Sequence, residues 1–205
     1  VIAGVTIASP EESLEVRSTT LGHFVDRLEG RIVGHEVPMG EGDTQAGEIQ
    51  VRGPMVMLGY YENGKVVSAV DEDGWLHTGD LGWQDAEGNI HYAGRIKDII
   101  IRGGENIMPS EIEAVLSGDV RISCCKAVGI PDDHYGEVPC ICIVPGSGAA
   151  LSEAQVRSAM CQRLAAFKVP KFILFFSKFP YTNTGKINCK KVAAIARQTI
   201  LGSAQ

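Results

Sequence analysis

A lysine on a glycine-hinged loop, an aspartate directly after a glycine and an arginine directly after another glycine are the residues of this chain best suited to handling charge. Lys186 lies in Asn183-Thr184-Gly185-Lys186-Ile187. The segment is not a Walker phosphate loop, because the four-residue glycine loop and the Ser or Thr after the lysine are missing. A lysine there is instead a mobile point charge, able to reach into a site built elsewhere and stabilise negative charge developing on phosphorus. Asp80, in Leu76-His77-Thr78-Gly79-Asp80-Leu81, can offer two carboxylate oxygens to the vicinal hydroxyls of a ribose. Arg95, in Gly94-Arg95-Ile96-Lys97-Asp98, presents a planar fork that suits ribose or phosphate oxygens. Each segment alone also reads as plain turn chemistry: an aspartate capping a turn, an arginine on the surface, a hairpin lysine in solvent.

The charge distribution favours an anionic ligand for one end of the chain. Net charge is −6 over 205 residues, yet no acidic residue follows Glu153, while nine of the 19 basic residues do. The first 153 residues therefore hold all 25 acidic residues and only ten basic ones. A basic tail third on an acidic protein suits phosphate, with a solvated basic face as the alternative. Hydrophobic residues at 44% supply a real core and exclude wholesale disorder, collagen and coiled coil. No apolar run approaches the ~18 residues of a membrane span. Val1-Ile2-Ala3-Gly4 does not read as a signal peptide, and the six cysteines show no disulfide framework. Reduced thiols and a cytoplasmic protein are expected. Cys124-Cys125 with Cys140-Ile141-Cys142 is poor zinc spacing, so buried strand thiols are expected and no metal ligands.

The elements that must position these residues change character along the chain. Up to about residue 93, short apolar runs alternate with turn signals: Arg31-Ile32-Val33, Gly40-Glu41-Gly42-Asp43, Glu48-Ile49-Gln50-Val51, Gly53-Pro54. This spacing predicts short antiparallel strands in a barrel or sandwich. Beyond Gly94-Arg95 helices alternate with strands. Ser110 with Glu113, and Ser152 with Gln155, have capping-box spacing ahead of helical apolar stripes. A third helix is expected over about Cys189 to Leu201. Strands are expected at Asp98 to Arg102, Cys124 to Gly129, Val138 to Val144 and Phe172 to Phe176. The fold class is α+β: a small β-rich, barrel-like part over 1–94, then a small α+β domain over 95–205.

The three glycine-bearing segments, preceded by Gly47-Glu48-Ile49-Gln50-Val51-Arg52-Gly53-Pro54 and Gly59-Tyr60-Tyr61, occur in an order that resembles the carboxyl-terminal part of the adenylate-forming superfamily. The likeness covers about residues 20 to 200. The run from 94 to 113, with GRIKDIIIRGGENIMPSEIE, looks most like the acyl-CoA synthetase branch. The resemblance implies that 1–94 ends the large adenylating domain and that 95–205 is its lid domain. It implies an ATP-dependent ligase that converts a fatty acid or other carboxylate to an acyl-adenylate and then to a CoA thioester. Asp80 and Arg95 would contact ATP, Lys186 would act in adenylation, and Lys97 would be the hinge about which the small domain turns. Gly103 and Gly104, lacking side chains, would line the pantetheine tunnel.

For coenzyme A the candidates are Tyr135, Phe167, Lys168 and Lys171: an aromatic to stack on adenine, and basic residues to meet phosphates. Val169 stands where some relatives carry a basic residue. The implied cofactors are ATP, Mg2+ and coenzyme A, and no nucleic-acid partner is implied. In complete members a phosphate loop, an acyl pocket and a YGxTE-like motif lie upstream, and nothing in residues 1 to 60 matches them. The chain therefore reads as a carboxyl-terminal fragment, inactive alone, whose partner is the upstream large domain. Two other readings stay open: an adenylation domain serving a carrier protein, and a non-catalytic module that keeps the lid fold.

Overall fold

Turn residues punctuate the amino-terminal half, and in the structure, a computed structural model, its strands run from two residues to ten, so the expected short strands are found only in part. It describes residues 5–38, 45–148 and 150–202. The turn at Gly40-Glu41-Gly42-Asp43 and the segment Val1-Ile2-Ala3-Gly4 lie outside the described residues. The chain divides into two compact units, Val1–Lys97 and Asp98–Gln205.

The first unit runs β1 (Thr6–Ile7), α1 (Leu14–Thr19), β2 (His23–Phe24), β3 (Glu29–Pro38), β4 (Gln45–Arg52), β5 (Gly59–Glu62), β6 (Lys65–Ser68), β7 (Leu76–Gln84) and β8 (Ile90–Arg95). Its main sheet has the order β3-β4-β7-β8, antiparallel throughout. The barrel-like expectation resolves into an open sheet, because among the described residues β3 and β8 are not paired with one another. Ile49, Val51, Leu76, Leu81, Ile90 and Ala93 are buried in this unit. Asn63 and Gly64 both have positive φ in the two-residue turn of the β5-β6 hairpin, as a type I′ turn requires.

The second unit is entered through a 3-10 turn, Ile96–Asp98, that spans the division. It continues through β9 (Ile100–Arg102), β10 (Glu105–Ile107), α2 (Pro109–Leu116), β11 (Ile122–Asp132), β12 (Gly136–Pro145), α3 (Glu153–Arg163), β13 (Phe172–Phe175) and α4 (Cys189–Gly202). The sheet order is β10-β9-β12-β11, with β13 added parallel to β12. Period-two alternation along β12 decides the layers. Ile141 and Ile143 join Ile112 and Val115 of α2 and Val156 and Met160 of α3 in one core. Val138, Cys140 and Cys142 point the other way and meet Val192 and Ala196 of α4. Each isoleucine fully buried in this way contributes about 2–3 kcal/mol.

Two sequence expectations about helix starts part company here. Ser152 accepts from the Gln155 N–H and the Gln155 side chain returns to the Ser152 N–H, so the capping box at α3 is formed. At α2 the cap is Met108, without a side-chain cap bond, and Pro109 opens the helix. A proline preset at φ near −65° starts the helix two residues early, which moves Ser110 inside the first turn.

Candidate functional site

Three residues of β7 stand opposite one residue of β4. Glu48 pairs with Leu81 and Gln50 with His77, so Thr78, Gly79 and Asp80 bulge across from Ile49 alone. Gly79 has φ +70°, a left-handed conformation that glycine tolerates and other residues resist. The bulge breaks the ladder, and side chains take over its bonds. The Gly79 N–H donates to Glu48 Oε1 at 3.0 Å, and the Asp80 N–H donates to Thr78 Oγ1 at 3.1 Å. The Thr78 hydroxyl donates to the Ile49 carbonyl at 2.6 Å. Arg95 Nη2 donates to the Thr78 carbonyl at 3.0 Å, and Arg95 Nε lies 3.0 Å from Asp80 Oδ1. Asp80 and Arg95 are also register partners across β7 and β8. The two residues read separately as ATP contacts therefore form one pair, half open to solvent.

Behind the bulge lies a polar network. Glu48 is buried, at 6% exposure, and Gln50 is buried beside it. Glu48 Oε2 accepts from Gln50 Nε2 at 2.8 Å and sits 2.8 Å from His77 Nδ1, while His77 Nε2 lies 3.1 Å from Asp71 Oδ2. Arg31 Nε donates to Gln50 Oε1 at 2.9 Å, which orients that amide. Burial pushes the Glu48 carboxyl up, but the bonds from Gln50, the Gly79 N–H and His77 outweigh it and hold the acid below its ordinary range. His77 is raised, first by its bond to Asp71 and then by Glu48.

The second cluster gathers two of the four coenzyme A candidates, Tyr135 and Phe167, around a residue the motifs did not single out. Arg102 Nη1 donates to the Phe167 carbonyl at 2.6 Å, and its guanidinium lies 4.8 Å from the Tyr135 ring centre. The Gly103 N–H donates to the Tyr135 carbonyl at 2.8 Å. Gly103 and Gly104, with φ +60° and +92°, are the two central residues of the β9-β10 turn, since Arg102 pairs with Glu105. Turn geometry alone favours glycine at both, although at Asn63-Gly64 the same demand is met by asparagine followed by glycine. A Cβ on Gly103 would lie 3.4 Å from the Tyr135 ring. Tyr135 and Phe167 remain substantially exposed.

Both lysines of the 167–171 segment are held by carboxylates. Lys168 Nζ meets the two oxygens of Glu111 at 2.8 and 3.0 Å, with both side chains mostly buried. Lys171 Nζ donates to Asp132 Oδ2 at 2.6 Å, while Asp132 Oδ1 accepts the His134 and Tyr135 N–H groups at 3.0 Å. Lys171 is the main reason that Asp132 is held down at about 2, with the Tyr135 and His134 amides adding to it. Lys171 thus supports the Tyr135 turn through Asp132.

Lys186 is exposed on a tight loop closed by the Tyr181–Ile187 bridge. Gly185 has φ +79°, and Thr182 bonds the Lys186 carbonyl and N–H. Among the described residues Lys186 has no ion-pair partner, and no described contact joins it to the Arg102–Tyr135–Phe167 group. Lys97 is exposed in the 3-10 turn, directly before the division between the units. No group of three or more metal-ligating side chains occurs among the described residues, and Cys140 and Cys142 are buried against α4. No helix among the described residues is long and apolar enough to cross a membrane.

Glu48, His77 and Arg102 are the residues that sequence reasoning did not place. Glu48 and Gln50 lie at i and i+2 and so share one face, but their alternation with Ile49 and Val51 reads as an ordinary polar side of a strand and does not mark them as buried. Arg102 had only its position ahead of two glycines.

Residues 111–186 match the family model described as the AMP-binding enzyme C-terminal domain. The chain is 41% identical over 154 residues to a feruloyl-CoA synthase of an Amycolatopsis species, covering 75% of this chain and 30% of that protein. It is 36% identical over 179 residues to the mitochondrial medium-chain acyl-CoA ligase of Homo sapiens, covering 87% of this chain and 29% of that protein. The crystal structure of ATP-bound MatB from Rhodopseudomonas palustris superposes with a TM-score of 0.76 at 31% identity, over 88% of this chain and 36% of that one. The chain thus spans about a third of the length of the curated relatives it matches.

Proposed function

From a chain that belongs to the adenylate-forming enzymes, with their AMP-binding C-terminal domain and with acyl-CoA ligases as relatives, we propose that it works, as a carboxyl-terminal fragment of a longer protein, in an ATP-dependent acyl-CoA synthetase. A carboxylate displaces pyrophosphate from ATP to form an acyl-adenylate, and the thiol of coenzyme A then displaces AMP. The relatives do not favour the carrier-protein or non-catalytic readings.

The observation that carries the reading is the Asp80–Arg95 pair on the β7 bulge. In the proposed function Asp80 accepts the two ribose hydroxyls, and the remaining Arg95 donors face the nucleotide oxygens. The first unit is the end of the large adenylating domain, and the second unit is the lid. Lys97 is the hinge, a role supported by its exposure at the division between units. Lys186 supplies positive charge during adenylation, supported by its exposed, glycine-hinged loop. Coenzyme A meets Tyr135, Phe167 and the Gly103–Gly104 turn, with Arg102 beside them as the cation nearest the stacking ring. Lys168 and Lys171 serve it through Glu111 and Asp132, with Lys171 the more solvent-accessible of the two. Mg2+ would neutralise the triphosphate, and no ligand is assigned to it among the described residues. A cytoplasmic setting rests on six free thiols.

The test takes the complete protein with ATP, coenzyme A and a panel of carboxylates, and follows AMP and thioester together. Stoichiometric, carboxylate-dependent release of both is expected. ATP turnover to ADP, or none with any carboxylate in the presence of coenzyme A, would overturn the reading.

A further inference from the structure

We propose that Glu48 is a positioning residue for the nucleotide: its buried carboxylate holds the Gly79 amide and thereby fixes where the β7 bulge presents Asp80 and Arg95. The inference rests on the nucleotide reading of that pair.

A carboxylate at 6% exposure in the middle of a strand is uncommon and costly, since burial removes its water. Ile49 and Val51 of the same strand are buried without such a cost, and an apolar side chain at position 48 would avoid it. What an apolar side chain could not do is accept hydrogen bonds from a strand that has left its ladder. Side chains satisfy three backbone groups of the bulge: the Gly79 N–H, the Asp80 N–H and the Thr78 carbonyl. Their partners are Glu48 Oε1, Thr78 Oγ1 and Arg95 Nη2. The Thr78 hydroxyl in turn grips the Ile49 carbonyl, the residue next to Glu48. A bulge of this kind re-aims a side chain at the edge of a site. Here it turns Asp80 toward Arg95.

The other Glu48 oxygen is pinned in turn. Gln50 Nε2 and His77 Nδ1 both approach Oε2, Arg31 fixes the Gln50 amide, and Asp71 fixes the far nitrogen of His77. Glu48 therefore has one oxygen for the support and one for the bulge. The carboxylate cannot swing away without breaking two further bonds. Rigid support of this sort is what holds a binding group within a fraction of an ångström of its working position.

The experiment uses the complete enzyme and four variants. Glu48→Met keeps the volume but removes the acceptor, Glu48→Gln keeps an oxygen for the Gly79 N–H, Thr78→Val removes the second grip, and Asp80→Ala tests the nucleotide contact itself. Glu48→Met should raise KM for ATP about tenfold or more, the size of losing one hydrogen bond to a charged group. KM for coenzyme A should hold, and Glu48→Gln should recover most of the ATP loss. If Glu48→Met does not fold, Thr78→Val carries the same test, with the same rise for ATP and none for coenzyme A. A raised KM for ATP in Asp80→Ala with unchanged values in Glu48→Met, or in Thr78→Val where it stands in, overturns this inference alone. Equal losses toward ATP and coenzyme A also overturn it, because they mark a merely structural role. An unchanged KM for ATP in Asp80→Ala overturns the nucleotide reading and this inference with it.

Discussion

Arg95 reaches Asp80 twice over, as its register partner across β7 and β8 and through Nε, 3.0 Å from Asp80 Oδ1. The same guanidinium spends Nη2 on the Thr78 carbonyl. A lysine cannot reproduce both contacts in place, because they come from two nitrogens held in one plane and an ammonium carries all its donors on a single atom. Arg95→Lys in the complete enzyme should therefore raise KM for ATP about tenfold. Both side chains are more than a third exposed, so the pair itself should add under about 1 kcal/mol to stability. The check is ATP kinetics beside thermal unfolding. A large drop in melting temperature with unchanged KM would make the pair structural.

Acid stability should carry the signature of Asp132. Its folded pKa, about 2, lies below the ordinary 3.8, chiefly through Lys171 and then the Tyr135 and His134 amides. A depressed carboxylate pKa contributes stability that is complete above the ordinary value and lost as pH falls through the folded one. The melting-temperature gap between the unsubstituted protein and Asp132→Asn should be full at pH 6 and shrink as pH falls from about 4 toward 2. A gap that stays constant down to pH 2 would contradict the assignment. Asp85, held at about 2 first by His91, and Asp119, held at about 2 first by Arg121, add to the same acid limb.

What could be read from the sequence was local. The capping box at Ser152 and Gln155 depends on residues three apart, and the alternation that sends Ile141 and Cys142 to opposite faces depends on neighbours. The β7 bulge was not legible, because it arises from the register between strands about thirty residues apart: Glu48 reaches Gly79 only after β4 and β7 pair. The same distance problem hid the fate of Lys168. A basic residue beside Phe167 suggested a phosphate, while its partner Glu111 lies 57 residues away on another element. Asp80 and Arg95 were found as residue types. Their pairing needed the sheet.

Coenzyme A recognition should depend on Arg102 as well as on Tyr135 and Lys171. Arg102 ties the Phe167 carbonyl to the face of Tyr135, so its loss frees both aromatics at once. Tyr135→Ala, Lys171→Ala and Arg102→Ala should each raise KM for coenzyme A while sparing adenylation. Arg102→Ala should exceed Lys171→Ala, because Lys171 acts through Asp132. Unchanged coenzyme A dependence in all three would make this face a solvated surface.

A hinge at Lys97 predicts a split between the half-reactions. Lys97→Pro fixes φ and removes an N–H in the turn at the division between units. One half-reaction should survive in the complete enzyme while overall thioester formation collapses. Pyrophosphate exchange and thioester formation from supplied acyl-adenylate measure the two steps. Equal loss of both, or of neither, would count against the hinge.

The adenylation role proposed for Lys186 predicts that one side chain separates the two chemical steps. Its loop is fixed at the base by the Tyr181–Ile187 bridge and by Thr182, and hinged at Gly185, so the ammonium is carried out into solvent at a defined place. In the proposed role it would offset charge on the α-phosphate and on the attacking carboxylate during adenylation. That demand is absent when a thiol attacks a preformed acyl-adenylate. Losing one well-placed electrostatic stabiliser costs about 100-fold to 1,000-fold in rate, so Lys186→Ala in the complete enzyme should lose adenylation by that order. Thioester formation from supplied acyl-adenylate should change far less. Lys186→Arg should not restore the first step fully, since a wide planar fork replaces a compact ammonium. The backbone bonds of the loop do not involve the lysine side chain, so neither substitution should move the melting temperature much. Single-turnover kinetics of each half-reaction decide the matter: an equal loss in both would assign Lys186 to folding or docking instead of to the chemistry.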